Sequence, residues 1–244
     1  MAQVSCRKRQ TRAPVGFVPA RMFTVVPTSS PAERWNARYQ QLSPLAPLAN
    51  ADASLRLVAA TGLPHDAPIL DVGCGTSGFL AGLLEQRYRN LLATDISATA
   101  LQQHRRQLGP ARADQILWLE DDILNPRQVQ ALEPILLWHD QGLLQEFTKV
   151  PQQAAYRHLL DHMLLPGGWL ILAARAPNAA APEKKGAYTA DQLAVLLGED
   201  YQLLQQFQAP YGHLAEPVQP YTYALFQRGL HPRHGFRTAH LGNG

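Results

Sequence analysis

Ile69-Leu70-Asp71-Val72-Gly73-Cys74-Gly75-Thr76-Ser77-Gly78-Phe79 is the stretch on which the reading of this chain turns. An apolar run closes on an aspartate, three glycines follow at G-x-G-x-x-G spacing, and a helical pattern begins. Glycine lacks a Cβ, so the backbone of such a turn can approach a ligand closely. The free N–H groups at the start of the next helix favour electron-rich ligand atoms. At the carboxyl end of a parallel strand this arrangement binds nucleotide-type cofactors.

Outward from the turn, apolar runs alternate with helical stretches. Strands are expected at Ile69–Val72, Asn90–Asp95, Gln115–Leu119, Ile135–Trp138 and Trp169–Ala174, and helices at Phe79–Arg87, Ser97–Leu108 and Ala154–Leu164. Two helices precede them, Ser30–Gln41 with Trp35 and Tyr39 on one face, and Ala51–Thr61, stopped by Gly62 and Pro64. Pro166-Gly167-Gly168 reads as a turn, and Thr189 with Gln192 as a capping box for a helix through Leu197. Tyr201–Phe207 and Tyr221–Gln227 close the pattern. No helix fits between them, so they are expected to pair antiparallel.

The 244 residues, 46% of them hydrophobic, suffice for one large α/β domain with tails. No apolar run of ~18 residues is present, so no membrane-spanning helix is expected. Two cysteines, Cys6 and Cys74, are too few for a disulfide framework and point to a reducing, cytoplasmic setting. The net charge of +3 is unevenly distributed. Residues 1–21 hold Arg7, Lys8, Arg9, Arg12 and Arg21, and residues 228–244 hold Arg228, Arg233 and Arg237, with no acid in either segment. Of the 22 Lys and Arg, those eight lie at the ends, which leaves 14 against 19 acids, about −5. A mildly acidic body is not a nucleic-acid-binding face. The N-terminal segment reads as an unstructured extension, a transit peptide, or residues upstream of a start at Met22. The expected layout is a disordered basic extension over 1–30, one domain over 31–228 and a disordered tail over 229–244. A monomer or weak dimer is expected.

The glycine turn alone leaves the cofactor open. A dehydrogenase would use it too, and Asp95 lies twenty residues after Gly75, where a ribose-binding acid is expected. Three features favour another cofactor. Glu120-Asp121-Asp122-Ile123 follows the third strand, where a carboxylate can accept a hydrogen bond from an adenine amine. Leu164–Leu172 carries the Pro-Gly-Gly turn before a buried strand. The closing hairpin leaves little chain for a separate dehydrogenase substrate domain.

Asp71–Gly78, Ala93-Thr94-Asp95-Ile96-Ser97, Asp121-Asp122-Ile123, Leu137-Trp138-His139-Asp140 and the Pro166–Gly168 turn together resemble the class I S-adenosylmethionine-dependent methyltransferases. The resemblance spans roughly Trp35 to Arg228. More narrowly, the chain is similar to bacterial thiopurine-methyltransferase-like enzymes, with W-x-x-x-Y near the start and W-H-D after strand four. The implied fold is Rossmann-like and doubly wound, a seven-stranded, mostly parallel sheet with an antiparallel C-terminal hairpin. The implied cofactor is S-adenosyl-L-methionine, bordered by Gly73, Cys74, Gly75 and Thr76. Asp71 would hold its amino-acid moiety, Asp95 its ribose hydroxyls, Asp122 its adenine, and Ile96 and Ile123 the ring faces. The chain departs from the family at Asn36, where an aspartate is usual, and over Ala176–Tyr188, which lacks a Cys-Ser-Gly-Leu stretch.

Methyl transfer needs alignment of a nucleophile with a free lone pair. His139 and Asp140, expected at the end of strand four, are the candidate catalytic residues, with His139 as proton acceptor. The alternative for His139 is a packing or capping role. Trp35, Tyr39 and Trp138 are candidate aromatic walls on the substrate side. Cys74 reads as a small turn residue, and His158 with His162 as a polar helix face without a third metal ligand. The acceptor is expected to be a small molecule or a protein side chain, with no nucleic acid and no membrane partner. Competing readings are an NAD(P)-dependent oxidoreductase and a non-catalytic cofactor-binding module.

Overall fold

The computed structural model describes residues 29–41, 51–178, 186–211 and 219–231. The basic extension, the loop at 42–50, Lys184 and Lys185, and the tail beyond residue 231 lie outside the described residues.

Two helices come first, α1 (Pro31–Gln40) and α2 (Asp52–Thr61). Ser30 and Glu33 cap α1 reciprocally, and Pro31 occupies its first position. Gly62, at φ +65°, ends α2 in the left-handed conformation that glycine adopts without steric cost.

The sheet then builds from β1 (Ile69–Val72), β2 (Leu91–Asp95), β3 (Ile116–Glu120), β4 (Ile135–Gln141), β5 (Leu164–Arg175), β6 (Tyr201–Tyr211) and β7 (Gln219–Arg228). Its order is β3-β2-β1-β4-β5-β7-β6. The first five strands pair in parallel, and β7 runs antiparallel to both β5 and β6. The expected architecture is therefore present, down to the hairpin. Helices α3 (Phe79–Glu85), α4 (Ala98–Leu108) and the short α5 (Pro110–Ala113) connect the first three strands. Helices α6 (Val150–Met163) and α7 (Ala190–Leu197) follow β4 and β5. Among the described residues no helix is long and apolar enough to cross a membrane.

Helices cover both faces, which is why β1 and β2 are buried throughout rather than alternating. On one face Leu70, Val72, Trp138, Leu170 and Phe226 pack with α6 and α7. On the other, Ile69, Leu91, Leu137, Ile171 and Tyr223 pack with α2, α3 and α4. Successive strand residues point to opposite faces, so the parity of a position decides its surroundings.

Several boundaries differ from expectation, among them the starts of α6 and β7 and the end of β6, and two bear on the site. β4 continues three residues past Trp138, because Leu137 through Gln141 pair with Trp169 through Ala173 of β5. The Pro166-Gly167-Gly168 segment lies within β5 rather than before it. The ladder shifts register between Ile135 and Leu137, and Gly167, at φ +78°, sits in the extra stretch of β5.

The loop after β3 is organised by one buried carboxylate. Asp121 accepts backbone N–H groups of Asp122, Arg127, Gln128 and Val129. Removing an ionic acceptor orphans several buried donors at once. Asp121→Ala is expected to cost about 2–3 kcal/mol, read as a lower urea midpoint; an unchanged midpoint would show that the loop does not depend on this carboxylate.

Candidate active site

Strand order reverses between β1 and β4, and a crevice opens beyond the carboxyl ends of the strands at that point, where doubly wound sheets bind ligands. Its volume is about 480 Å³. Its lining includes Asp71, Gly73, Cys74, Gly75 and Thr76 from the first turn, Asp95 and Ile96 after β2, and Asp122 and Ile123 after β3. All nine expected cofactor-side residues are thus gathered from three separate strand ends.

The glycine turn is held from below and covered from above. Gly73 and Gly75 have φ of +60° and +50°. A Cβ on Gly75 would stand 2.4 Å from the Tyr39 hydroxyl, and one on Gly73 would stand 2.9 Å from Leu143 Cβ. Asp95 accepts the Gly75 N–H at 3.0 Å and the Ser97 N–H at 2.8 Å, joining the turn to the start of α4. Each ionised carboxylate oxygen still has accepting capacity after one such bond. Burial raises the Asp95 pKa to about 6, against the opposing pull of those N–H groups.

Helix α1 is clamped over the turn. Asn36 Oδ1 accepts Ser97 Oγ–H at 2.7 Å and the Thr99 N–H at 3.1 Å, and Gln103 Nε2 donates to the Tyr39 carbonyl at 2.8 Å. Trp35 and Tyr39 therefore line the crevice, their rings 6.2 Å apart, as expected of the early helix. Asn36 has a docking task that its sequence position did not reveal.

Asp121 and Asp122 both line the crevice, but their carboxylates differ. That of Asp121 is committed to its own loop. Asp122 accepts the Leu124 N–H at 2.9 Å and is only half buried. Burial, and then the proximity of Asp95 and Asp71, raises the Cys74 pKa well above its ordinary value, so this thiol is no nucleophile.

The catalytic candidates are placed elsewhere. Because β4 extends to Gln141, His139 is an interior strand residue paired with Asp71. It is 0% exposed. Its Nδ1 donates to Asp71 Oδ1 at 2.7 Å, Nε2 lies 2.9 Å from Ser54 Oγ on α2, and its ring stacks on Phe79 at 3.6 Å. His139 is not among the residues that line the crevice. Asp140 points to the opposite face. It accepts N–H groups of Leu143 and Leu144 and the Tyr156 hydroxyl, and so shapes the loop after β4. Burial raises its pKa to about 6. Trp138 is also fully buried, its Nε1–H donating to Tyr156 Oη, and it forms no substrate wall.

The residue at the true end of β4 is Gln141. With Gln145, Arg175, Tyr211 and Tyr221 it forms the other half of the crevice. Gln141 Nε2 donates to Tyr223 Oη, and Gln145 Nε2 donates to Tyr221 Oη. The Tyr211 and Tyr221 rings are 4.9 Å apart, and burial raises both hydroxyl pKa values. The three carboxylates Asp71, Asp95 and Asp122 stand at the β1–β3 ends, whereas these polar and aromatic groups stand at the β4–β7 ends. An alternation count from Asp71 would have flagged Gln141, but only had the length of β4 been known.

Such a fold with an acid-lined glycine turn at the strand ends is that of a nucleotide-type cofactor-binding α/β domain. Residues 69–168 match the family model described as a methyltransferase domain. Solved structures sharing the fold include a SAM-dependent methyltransferase from Anabaena variabilis, 15% identical at a TM-score of 0.62, covering 83% of this chain and 96% of that one. Others are the N-methyltransferase NodS from Bradyrhizobium japonicum with S-adenosylhomocysteine (20%, TM-score 0.54, 81% and 88% covered) and magnesium protoporphyrin IX methyltransferase from Synechocystis with the same ligand (16%, TM-score 0.56, 73% and 80%). No curated protein matches the sequence. The chain is thus similar to S-adenosylmethionine-dependent methyltransferases over residues 69–168, and shares their fold. The narrower likeness to thiopurine-methyltransferase-like enzymes finds no support among these matches.

Two measurements check this geometry. His139→Ala is expected to lower stability by about 3–5 kcal/mol, since Asp71 and Ser54 lose a buried partner; lost turnover at unchanged stability would restore a catalytic role. Only ionised Asp95 can accept two further O–H groups. Its raised pKa means that the proton returns as pH falls through about 6, so affinity for S-adenosylhomocysteine should drop about tenfold between pH 7.5 and pH 5. A flat calorimetric profile would exclude Asp95 from the ligand's contacts.

Proposed function

We propose that the chain transfers the methyl group of S-adenosylmethionine, by in-line displacement, to a nucleophile on a small molecule bound at the β4–β7 half of the crevice. The observation that carries this reading is the uneven lining of the crevice, with Asp71, Asp95, Asp121 and Asp122 at the β1–β3 ends and mainly polar, aromatic and guanidinium groups, with Glu146 paired to Arg175, at the other.

The residues present fit the cofactor. Asp71 Oδ1 is bound to His139, while Asp71 Oδ2 is buried with no hydrogen-bond partner. An acceptor left bare at a crevice wall calls for a donor, and the cofactor's ammonium group is one. The spare capacity of Asp95 suits two ribose hydroxyls, and Asp122 suits the adenine amine, with Ile96 and Ile123 against the ring. Gly73 and Gly75 keep the turn low enough for close approach. When bound, the cofactor supplies an electrophilic methyl group on sulfur.

The chain's own contribution is then alignment and exclusion of water. Tyr39 and Trp35 close the crevice from α1. Gln141, Gln145 and Tyr221 are tied to one another or to neighbours and so offer fixed hydrogen-bonding groups. Burial raises the pKa of the Tyr221 hydroxyl, which stays protonated at neutral pH, so the acceptor must present its lone pair largely unaided.

Thermal shifts with S-adenosylhomocysteine and with NADH separate the two cofactor classes, stabilisation by the first alone being expected. Asp95→Ala should weaken S-adenosylhomocysteine binding by about 2–3 kcal/mol. Incubation with methyl-labelled cofactor and a fractionated extract tests the acceptor. Label confined to the protein fraction would reject a small molecule.

A further inference from the structure

Resting on the methyltransferase reading above, we propose that Arg175 binds a carboxylate on the methyl acceptor and so selects an anionic small molecule. Arg175 is the last residue of β5 and stands directly opposite Tyr221 of β7. Opposed residues share a face of the sheet, and both line the acceptor half of the crevice.

The guanidinium is incompletely satisfied. Its side chain is 17% exposed, and Nε is buried with no hydrogen-bond partner. Its ion pair with Glu146 runs through Nη2 alone, at 3.5 Å, to a carboxylate that is itself 40% exposed. Arginine does not lose its charge inside proteins, so burial cannot neutralise it. A carboxylate accepting from this guanidinium would complete the planar fork that the side chain presents.

The surroundings hold that fork in place. Gln145 Oε1 accepts the Arg175 backbone N–H at 2.9 Å, while Gln145 Nε2 donates to Tyr221 Oη at 3.1 Å. The Tyr211 and Tyr221 rings, 4.9 Å apart and tilted 59° to one another, form an aromatic corner in the same half of the crevice. Asp71, Asp95 and Asp122 occupy the opposite half and would repel an anion there, whereas the acceptor half holds one lining carboxylate, Glu146, offset by its pairing with Arg175. Charge thus sorts the two ligands, with the cationic cofactor toward the acids and the anionic acceptor toward Arg175. An aromatic or short-chain carboxylate has the required chemistry.

The test uses protein saturated with S-adenosylhomocysteine, titrated with benzoate and phenylacetate and with the neutral benzamide and phenylacetamide. The acids are expected to bind at least about tenfold more tightly than the amides. Arg175→Gln should abolish that preference at unchanged S-adenosylhomocysteine affinity. Arg175→Lys, which keeps the charge but not the fork, should lose most of it. Equal binding of acids and amides, no binding of either acid, or a preference that survives Arg175→Gln would overturn the proposal. Failure of the unsubstituted protein to bind S-adenosylhomocysteine would instead overturn the cofactor reading beneath it.

Discussion

A buried chain of hydrogen bonds from Ser54 through His139 to Asp71 governs the geometry of the site. It joins helix α2 to β4 and β1, the two strands between which the sheet order reverses. The imidazole lies sealed against Phe79, and the carboxylate has one oxygen turned to the histidine. The other oxygen of Asp71 remains buried and bare at the crevice wall. A polar group without a partner is costly in an apolar interior, so it persists only where a ligand or an ordered water completes it. The histidine contacts the aspartate and is itself not among the residues that line the crevice.

Two further carboxylates act on the backbone in the same manner. Asp95 ties the glycine turn to the first turn of α4, and Asp140 ties the loop after β4 to α6 through Tyr156. Both are raised by burial to about 6. Their ionisation is therefore less favourable in the folded chain than in the unfolded one. By linkage they oppose folding above that pH and cease to do so as the pH falls toward the ordinary carboxylate range. The fold tolerates that cost because each carboxylate satisfies backbone donors that would otherwise be orphaned, and Asp95 additionally faces the crevice.

The comparison between sequence and structure is uneven in an instructive way. Strand existence, the order of elements and the hairpin were legible because apolar runs and capping signals are local. The capping boxes at Ser30 and Thr189 are an example, each readable from four residues. The crevice residues at the β1–β3 ends were legible because a glycine turn and acids at strand ends recur at set distances along the chain. The acceptor half was not. Gln141, Gln145, Arg175, Tyr211 and Tyr221 come from four separate segments and share no spacing, so only the ladders of β4 with β5, β5 with β7 and β7 with β6 bring them together.

The sequence by itself determined a parallel, doubly wound sheet, the glycine turn and the three acids that suit S-adenosylmethionine, because periodicity and turn chemistry act over a few residues. Only the tertiary structure decided which face each strand residue meets. Side chains alternate with a period of two, so the answer at His139, Asp140 and Gln141 depended on where β4 ends, and that is set by its ladder with β5. Three residues of added strand moved His139 and Asp140 into the core and brought Gln141 to the crevice.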